Sequence, residues 1–138
     1  VSQDIINVFN QLDEIDSITG KIFRLYKSSF NRFPDKDGFE YWVNKNISKE
    51  NKYLQTVFSF IESEEFKLKY SPTISNSDFI TNLYANALNR LPDQTGFNYW
   101  LGQIDQGNEL KAEILIGFAE SLESKRLFSI NCGLNINL

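Results

Sequence analysis

LYKSSFNRFPDKDGFEYW, residues 25–42, returns without a gap as LYANALNRLPDQTGFNYW, residues 83–100. The same spacing of 58 residues carries Ile22 onto Ile80, Phe60 onto Phe118, and the trio Glu62, Ser63, Glu65 onto Glu120, Ser121, Glu123. An ungapped correspondence over about 45 residues marks two copies of one supersecondary unit rather than two unrelated segments.

Hydrophobic periodicity shows what the unit is made of. Ile22, Leu25, Tyr26, Ser29 and Phe30 trace one helical face, as do Ile80, Leu83, Tyr84, Ala87 and Leu88. Pro34 and Pro92 disfavour helical geometry at the residue before them, so these helices should end near Asn31-Arg32 and Asn89-Arg90. Asp35 and Asp93 then stand ready as N-caps, and apolar spacing resumes through Phe39, Trp42 and Val43, or Phe97, Trp100, Leu101 and Ile104. A third pattern uses Leu54, Val57, Phe58 and Ile61, matched by Leu110, Ile114, Leu115 and Phe118, and a short fourth helix begins under Ser63 or Ser121. Ahead of the first copy, Ile5, Ile6, Phe9, Leu12 and Ile15 keep helical spacing. The fold expected is all-α: two tandem helical repeats of three to four short helices each, preceded by a capping N-terminal helix. Its divisions fall at 1–20 for the capping helix, 21–70 for repeat one, 71–78 for a Ser- and Asn-rich linker whose Ser77 or Asp78 caps the next helix, and 79–128 for repeat two. Residues 129–138, with alternation around Gly133, read as an extended tail.

Composition removes most familiar chemistry. The 138 residues include no histidine and one cysteine, Cys132, so zinc-finger ligands, Cys-His dyads, Ser-His-Asp triads and intrachain disulfides are excluded. A chain of this length buries roughly two-thirds of its unfolded surface and needs no metal or disulfide to fold. The formal net charge is −4 and the basic residues are scattered, which argues against nucleic acid as a partner. No apolar run approaches the ~20 residues of a membrane span, and no signal-peptide pattern opens the chain, which begins at Val1 as a processed protein or excised domain would.

The P-D-x-x-G-x-x-Y-W segment admits structural and functional readings. Structurally, Arg32 and Arg90 pair with the nearby aspartates or with the carbonyls ending the preceding helix, while Gly38 and Gly96 let helices approach closely. Asp35, Asp37 and Gly38 also fit the opening of a calcium loop, but the second copy reads DQTG and neither copy supplies the downstream bidentate acid. No metal or cofactor is therefore expected. Trp42 and Trp100 share the stripe of Phe39 and Phe97 and read as core residues. Tyr41 and Tyr99 lie about 100° round the helix, where a half-exposed ring can stack on a ligand. A sugar offers an apolar C–H face to such a ring and hydroxyls to Asn31, Asn89, Asn98 and Asp93 as neighbours. The acid pairs Glu62/Glu65 and Glu120/Glu123 have the composition of a glycosidase centre, yet capping and the helix dipole account for them without catalysis.

With those residues in view, the strings L-Y-x-x-x-L/F-N-R-x-P-D-x-x-G-F-x-Y-W at 25–42 and 83–100, with FIESEEF at 60–66 and FAESLE at 118–123, resemble the bacterial domain of unknown function numbered four-two-one-four, in two tandem copies. The resemblance implies a helical module attached to large secreted or surface proteins, among them S-layer-like, calcium-repeat and carbohydrate-active chains, and it supplies no catalytic residues. The expectation is a non-catalytic extracellular or cell-surface binding module, with carbohydrate as ligand and Tyr41, Trp42, Tyr99 and Trp100 shaping the site. The alternative is a structural module that self-associates or binds a surface protein.

Overall fold

A computed structural model describes residues 2–133. Among the described residues the fold is all-α, with no strand: α1 Gln3–Phe9, α2 Ile18–Phe30, α3 Lys36–Ile47, α4 Tyr53–Ile61, α5 Glu64–Lys69, α6 Asn76–Leu88, α7 Gln94–Asp105, α8 Lys111–Ala119 and α9 Leu122–Cys132. The starts of α2 to α5 recur in α6 to α9 at the 58-residue spacing read from the sequence.

Local chemistry fixes the boundaries. Asn31 and Asn89 end α2 and α6 in the left-handed region, with φ of 53° and 56°. Asparagine tolerates that conformation better than most side chains, so this pair of stops is built into the motif. Asp35 and Asp93 each accept a hydrogen bond at 2.9 Å from the backbone of Gly38 and Gly96, capping α3 and α7. Ser63 and Ser121 do the same for α5 and α9, from Phe66 N and Ser124 N, both at 3.1 Å.

Ten of the thirteen residues of α2 are buried, which makes it the central element of the core rather than a surface helix. It packs on α3, α4 and α5 of its own half and on α6, α8 and α9 of the other. Ile22, Leu25, Phe39, Val57 and Phe60 meet Ile80, Leu83, Ile114, Leu115 and Phe118 in one apolar cluster. Several contacts tie the halves: Phe23 against Phe128 at 5.3 Å, Lys125 to Asp16 at 2.8 Å, and the Tyr70 hydroxyl, which donates to Ser28 O at 2.9 Å and accepts from Asn86 Nδ2 at 2.8 Å. Arg24, 2% exposed, holds Glu120 bidentately at 2.9 and 3.1 Å.

Four expectations change. The N-terminal helix stops at Phe9 rather than running to residue 20, because Asp13 gathers Ser17 Oγ, Thr19 Oγ1 and Glu14 N at 2.5, 2.6 and 2.8 Å. These local bonds favour a turn over a helix. The turn rests on Gly20, where a Cβ would come within 2.5 Å of Ile15 O, so α2 already begins at Ile18 under Ser17. The helix after the linker is capped by Ser75, which accepts from Asp78 N at 3.1 Å, and not by Ser77 or Asp78. Residues 129–132 are helical, since Phe128 and Cys132 one turn apart pack on the core, and Gly133 closes α9 at φ 70°. The rest of the expected extended tail lies outside the described residues. On α4 the buried face is Thr56, Val57 and Phe60, which leaves Leu54 and Phe58 exposed.

Candidate functional site

Most of the repeated motif forms a clasp that recurs in each half. The Arg32 guanidinium donates to Glu65 at 2.7 and 2.9 Å and to Phe33 O at 3.1 Å, pairs with Asp35 at 3.5 Å, and lies 5.2 Å from the Tyr26 ring centre. Arg90 repeats this with Glu123 at 2.8 and 3.0 Å, Leu91 O at 3.1 Å, Asp93 at 3.2 Å and the Tyr84 ring at 5.0 Å. One arginine thus joins a helix stop, the carbonyl before the proline, a helix cap and the first turn of the fourth helix. The carbonyl it takes belongs to Phe33 or Leu91, beyond the helix end. Hydrogen bonding from Arg90 holds the Glu123 carboxyl below its ordinary range, while the Gly96 N–H followed by Arg90 lowers Asp93. A Cβ on Gly38 would stand 2.5 Å from the Tyr26 hydroxyl, and Gly96 meets the Tyr84 hydroxyl in the same way, so both glycines are needed for close approach. Burial, then Asp35 or Asp93 nearby, pushes the Tyr26 and Tyr84 hydroxyls up.

The sequence-predicted site residues do not converge on one place. Asn31 and Asn89 are brought together at the seam by Lys27, whose Nζ donates to their Oδ1 atoms at 2.9 and 2.8 Å and to Asn86 O at 2.5 Å. They are occupied there and do not flank the tyrosines. Asp93 is committed to its cap and clasp, and exposed Asn98 accepts from Gln94 Nε2 at 2.8 Å along α7. Tyr41 and Tyr99 are 52% and 55% exposed, each edge-on to its neighbouring tryptophan at 4.8 and 5.0 Å. Tyr41 lines a shallow groove of about 230 Å³ with Asn44, Lys45, Ser48 and Glu50. Lys45 Nζ sits 5.4 Å from the Tyr41 ring centre.

Trp100 belongs to a different groove, about 170 Å³, lined by Tyr84, Leu88, Arg90, Gly117, Phe118, Ser121 and Glu123. Its indole lies over Gly117, where a Cβ would be 2.9 Å from the ring, and packs 5.1 Å from Phe118. At the corresponding positions of the first half stand Phe30 and Ser59 instead of Leu88 and Gly117. Phe30 stacks on Phe60 at 5.1 Å, with the Arg32 guanidinium 5.5 Å above it, so aromatic bulk occupies that space. The groove presents an aromatic surface, a bidentate arginine–carboxylate pair and a serine side by side. This combination suits a ligand with an apolar face and several hydroxyls.

Glu65 and Glu123 as arginine partners were missed by sequence reasoning. The signal lay in the equal spacing of 33 residues between Arg32 and Glu65 and between Arg90 and Glu123. Glu120 is likewise engaged, by Arg24, while Glu62 is exposed. Among the described residues no group of three or more Cys, Asp or Glu side chains is placed to hold a metal ion, and the Asp35 carboxylate of the DKDG loop is taken by Gly38 N and Arg32. Burial pushes the Cys132 thiol up to about 12, far from a thiolate nucleophile at neutral pH. No described helix is long and apolar enough to cross a membrane.

An all-helical module with an arginine clasp in each half is thereby defined. Residues 57–128, from within α4 to within α9, match the family described as a domain of unknown function, DUF4214, and the chain belongs to that family. No curated protein and no solved structure matches the chain.

Proposed function

We propose that this chain is a non-catalytic binding module of an extracellular or cell-surface protein of bacterial type, and that its second half holds a carbohydrate in the groove at Trp100. The observation that carries this reading is the open groove itself, where Trp100 lies over Gly117 beside the Arg90–Glu123 pair. A sugar ring would lay its C–H face on the indole edge and direct hydroxyls to Glu123, Ser121 and Arg90. Three of the four repeated carboxylates are bound to arginine, which supports binding over acid–base chemistry. The reading requires no cofactor. The first half is proposed as a second, diverged copy of the family unit, supported by the matching helix starts and clasps.

Retention on a panel of neutral and acidic polysaccharides tests the proposal. Retention lost on Gly117→Ser, with the helical spectrum intact, is the expected result. No retention on any glycan overturns it. The protein-partner alternative is supported by apolar side chains left in the open in the second half, among them Leu91 at 77% exposure, together with Leu110, Leu122 and Ile130. A mass independent of concentration, alone and with host surface extract, would remove that alternative.

A further inference from the structure

A second groove, about 450 Å³, lies in the first half between the start of α2 and the α3–α4 loop. Ile18, Ile47 and the Tyr53 ring give it an apolar surface, and Lys49, Lys52, Asn46 and Asn51 line it as well. Lys21 holds its Nζ 5.7 Å from the centre of the same Tyr53 ring. Among the described residues none of these three lysines has a carboxylate within ion-pair reach, in a chain whose net charge is −4.

The second half shows that the helices do not need these lysines. At the corresponding positions it carries Phe79, Gly107 and Leu110 and still forms the same elements. Lys49 is the telling member. Its backbone is left-handed, with φ of 64°, where Gly107 has 71°. Glycine adopts that conformation freely and lysine only at a cost, so the first half keeps a cation against the preference of its own backbone. Strained positions of this kind cluster at ligand-binding and switch sites.

We propose that this groove binds a small anionic amphiphile, an acidic head on Lys49 and Lys52 with a short acyl body against Ile18, Ile47 and Tyr53. Ile18, Ile47 and the Tyr53 ring offer an acyl chain an apolar surface beside the two lysines, and the volume falls within the range of small-molecule sites. Lysine ammoniums, as compact point charges, suit an acidic head of either carboxylate or phosphate type. This site is separate from the Trp100 groove and stands or falls independently of it.

The test titrates the whole chain with monomeric decanoate and, separately, with decanol, following amide shifts by NMR. Decanoate is expected to shift residues 46–53 and Ile18 saturably, with decanol at least tenfold weaker. The double variant Lys49→Gly, Lys52→Leu carries the second half's own residues. It should weaken decanoate at least tenfold while its melting temperature does not fall. Ile47→Asp, at a side chain 62% exposed, should block the acyl body without unfolding the chain. Equal binding of decanol, undiminished binding by the double variant, or binding only to anionic phosphatidylglycerol vesicles and not to monomeric decanoate would each overturn the proposal.

Discussion

The two halves of the molecule share helix starts, stops, caps and arginine clasp, and they differ in what surrounds that frame. Where the first half stacks Phe30 on Phe60, the second has Leu88 and Gly117 and opens a groove under Trp100. Where the second half has Phe79, Gly107 and Leu110, the first has three lysines around an apolar groove. Phe23 and Arg24, which bind the other half, become Thr81 and Asn82 on α6. A repeated motif therefore specifies a chassis, and both grooves for which binding is proposed lie at positions where the halves disagree.

The seam offers the sharpest break between them. Arg24→Ala leaves the Glu120 carboxylate without its partner and opens a hole in the core, so a loss of roughly 3 kcal/mol is expected in urea unfolding. The matched change, Asn82→Ala in the second half, should cost under about 0.5 kcal/mol as a substitution away from such a network. Equal losses would mean that the seam is shared evenly by the halves.

The clasp should respond alike in both. Gly38→Ala and Gly96→Ala each drive a methyl into a buried tyrosine hydroxyl, at a cost of ~1–3 kcal/mol. The two losses measured in one denaturation series should agree closely, and a clear disparity would break the equivalence of the clasps. At Gly107, φ of 71° makes alanine strained, and Gly107→Ala should lose about 1 kcal/mol. At Gly102, inside α7, a methyl would meet nothing within 4 Å, and alanine there should gain up to about 1 kcal/mol in thermal unfolding.

The smallest effect concerns acid. Hydrogen bonds from Ser17 and then Thr19 hold the Asp13 carboxyl at about 2, below its reference of 3.8. A lowered native pKa contributes stability that is full above the unfolded value and is lost as pH falls through the native one. Stability should therefore decline from about pH 4 to pH 2, with a slightly gentler slope in Asp13→Asn. The second half has Ser71 at the matching position, so Ser71→Ala should leave the slope unchanged.

Much of the chassis was legible because it depends on short-range chemistry. Proline position, Asp35 and Asp93 as caps, asparagine at the helix stops and the 58-residue spacing are all properties of neighbouring residues. The surfaces were harder to read. Tyr41 and Tyr99 stand half-exposed about 100° round from the apolar stripe, a position helical spacing alone sets, but Asn31 and Asn89 were drawn to Lys27 across a seam that no local pattern encodes. Glu65 and Glu123 read as dipole residues because their partners stand 33 positions away. The short α1 escaped because a stripe of apolar residues continued through a turn set by one aspartate and two hydroxyls.

The central helix has a mechanical consequence. Since α2 touches helices of both halves and Lys27 fastens the ends of α2 and α6, the connection at 71–75 is not what keeps the halves together. Ser71, Pro72 and Thr73 are exposed, and a protease cut among them should yield two fragments that still migrate as one particle and unfold in a single step.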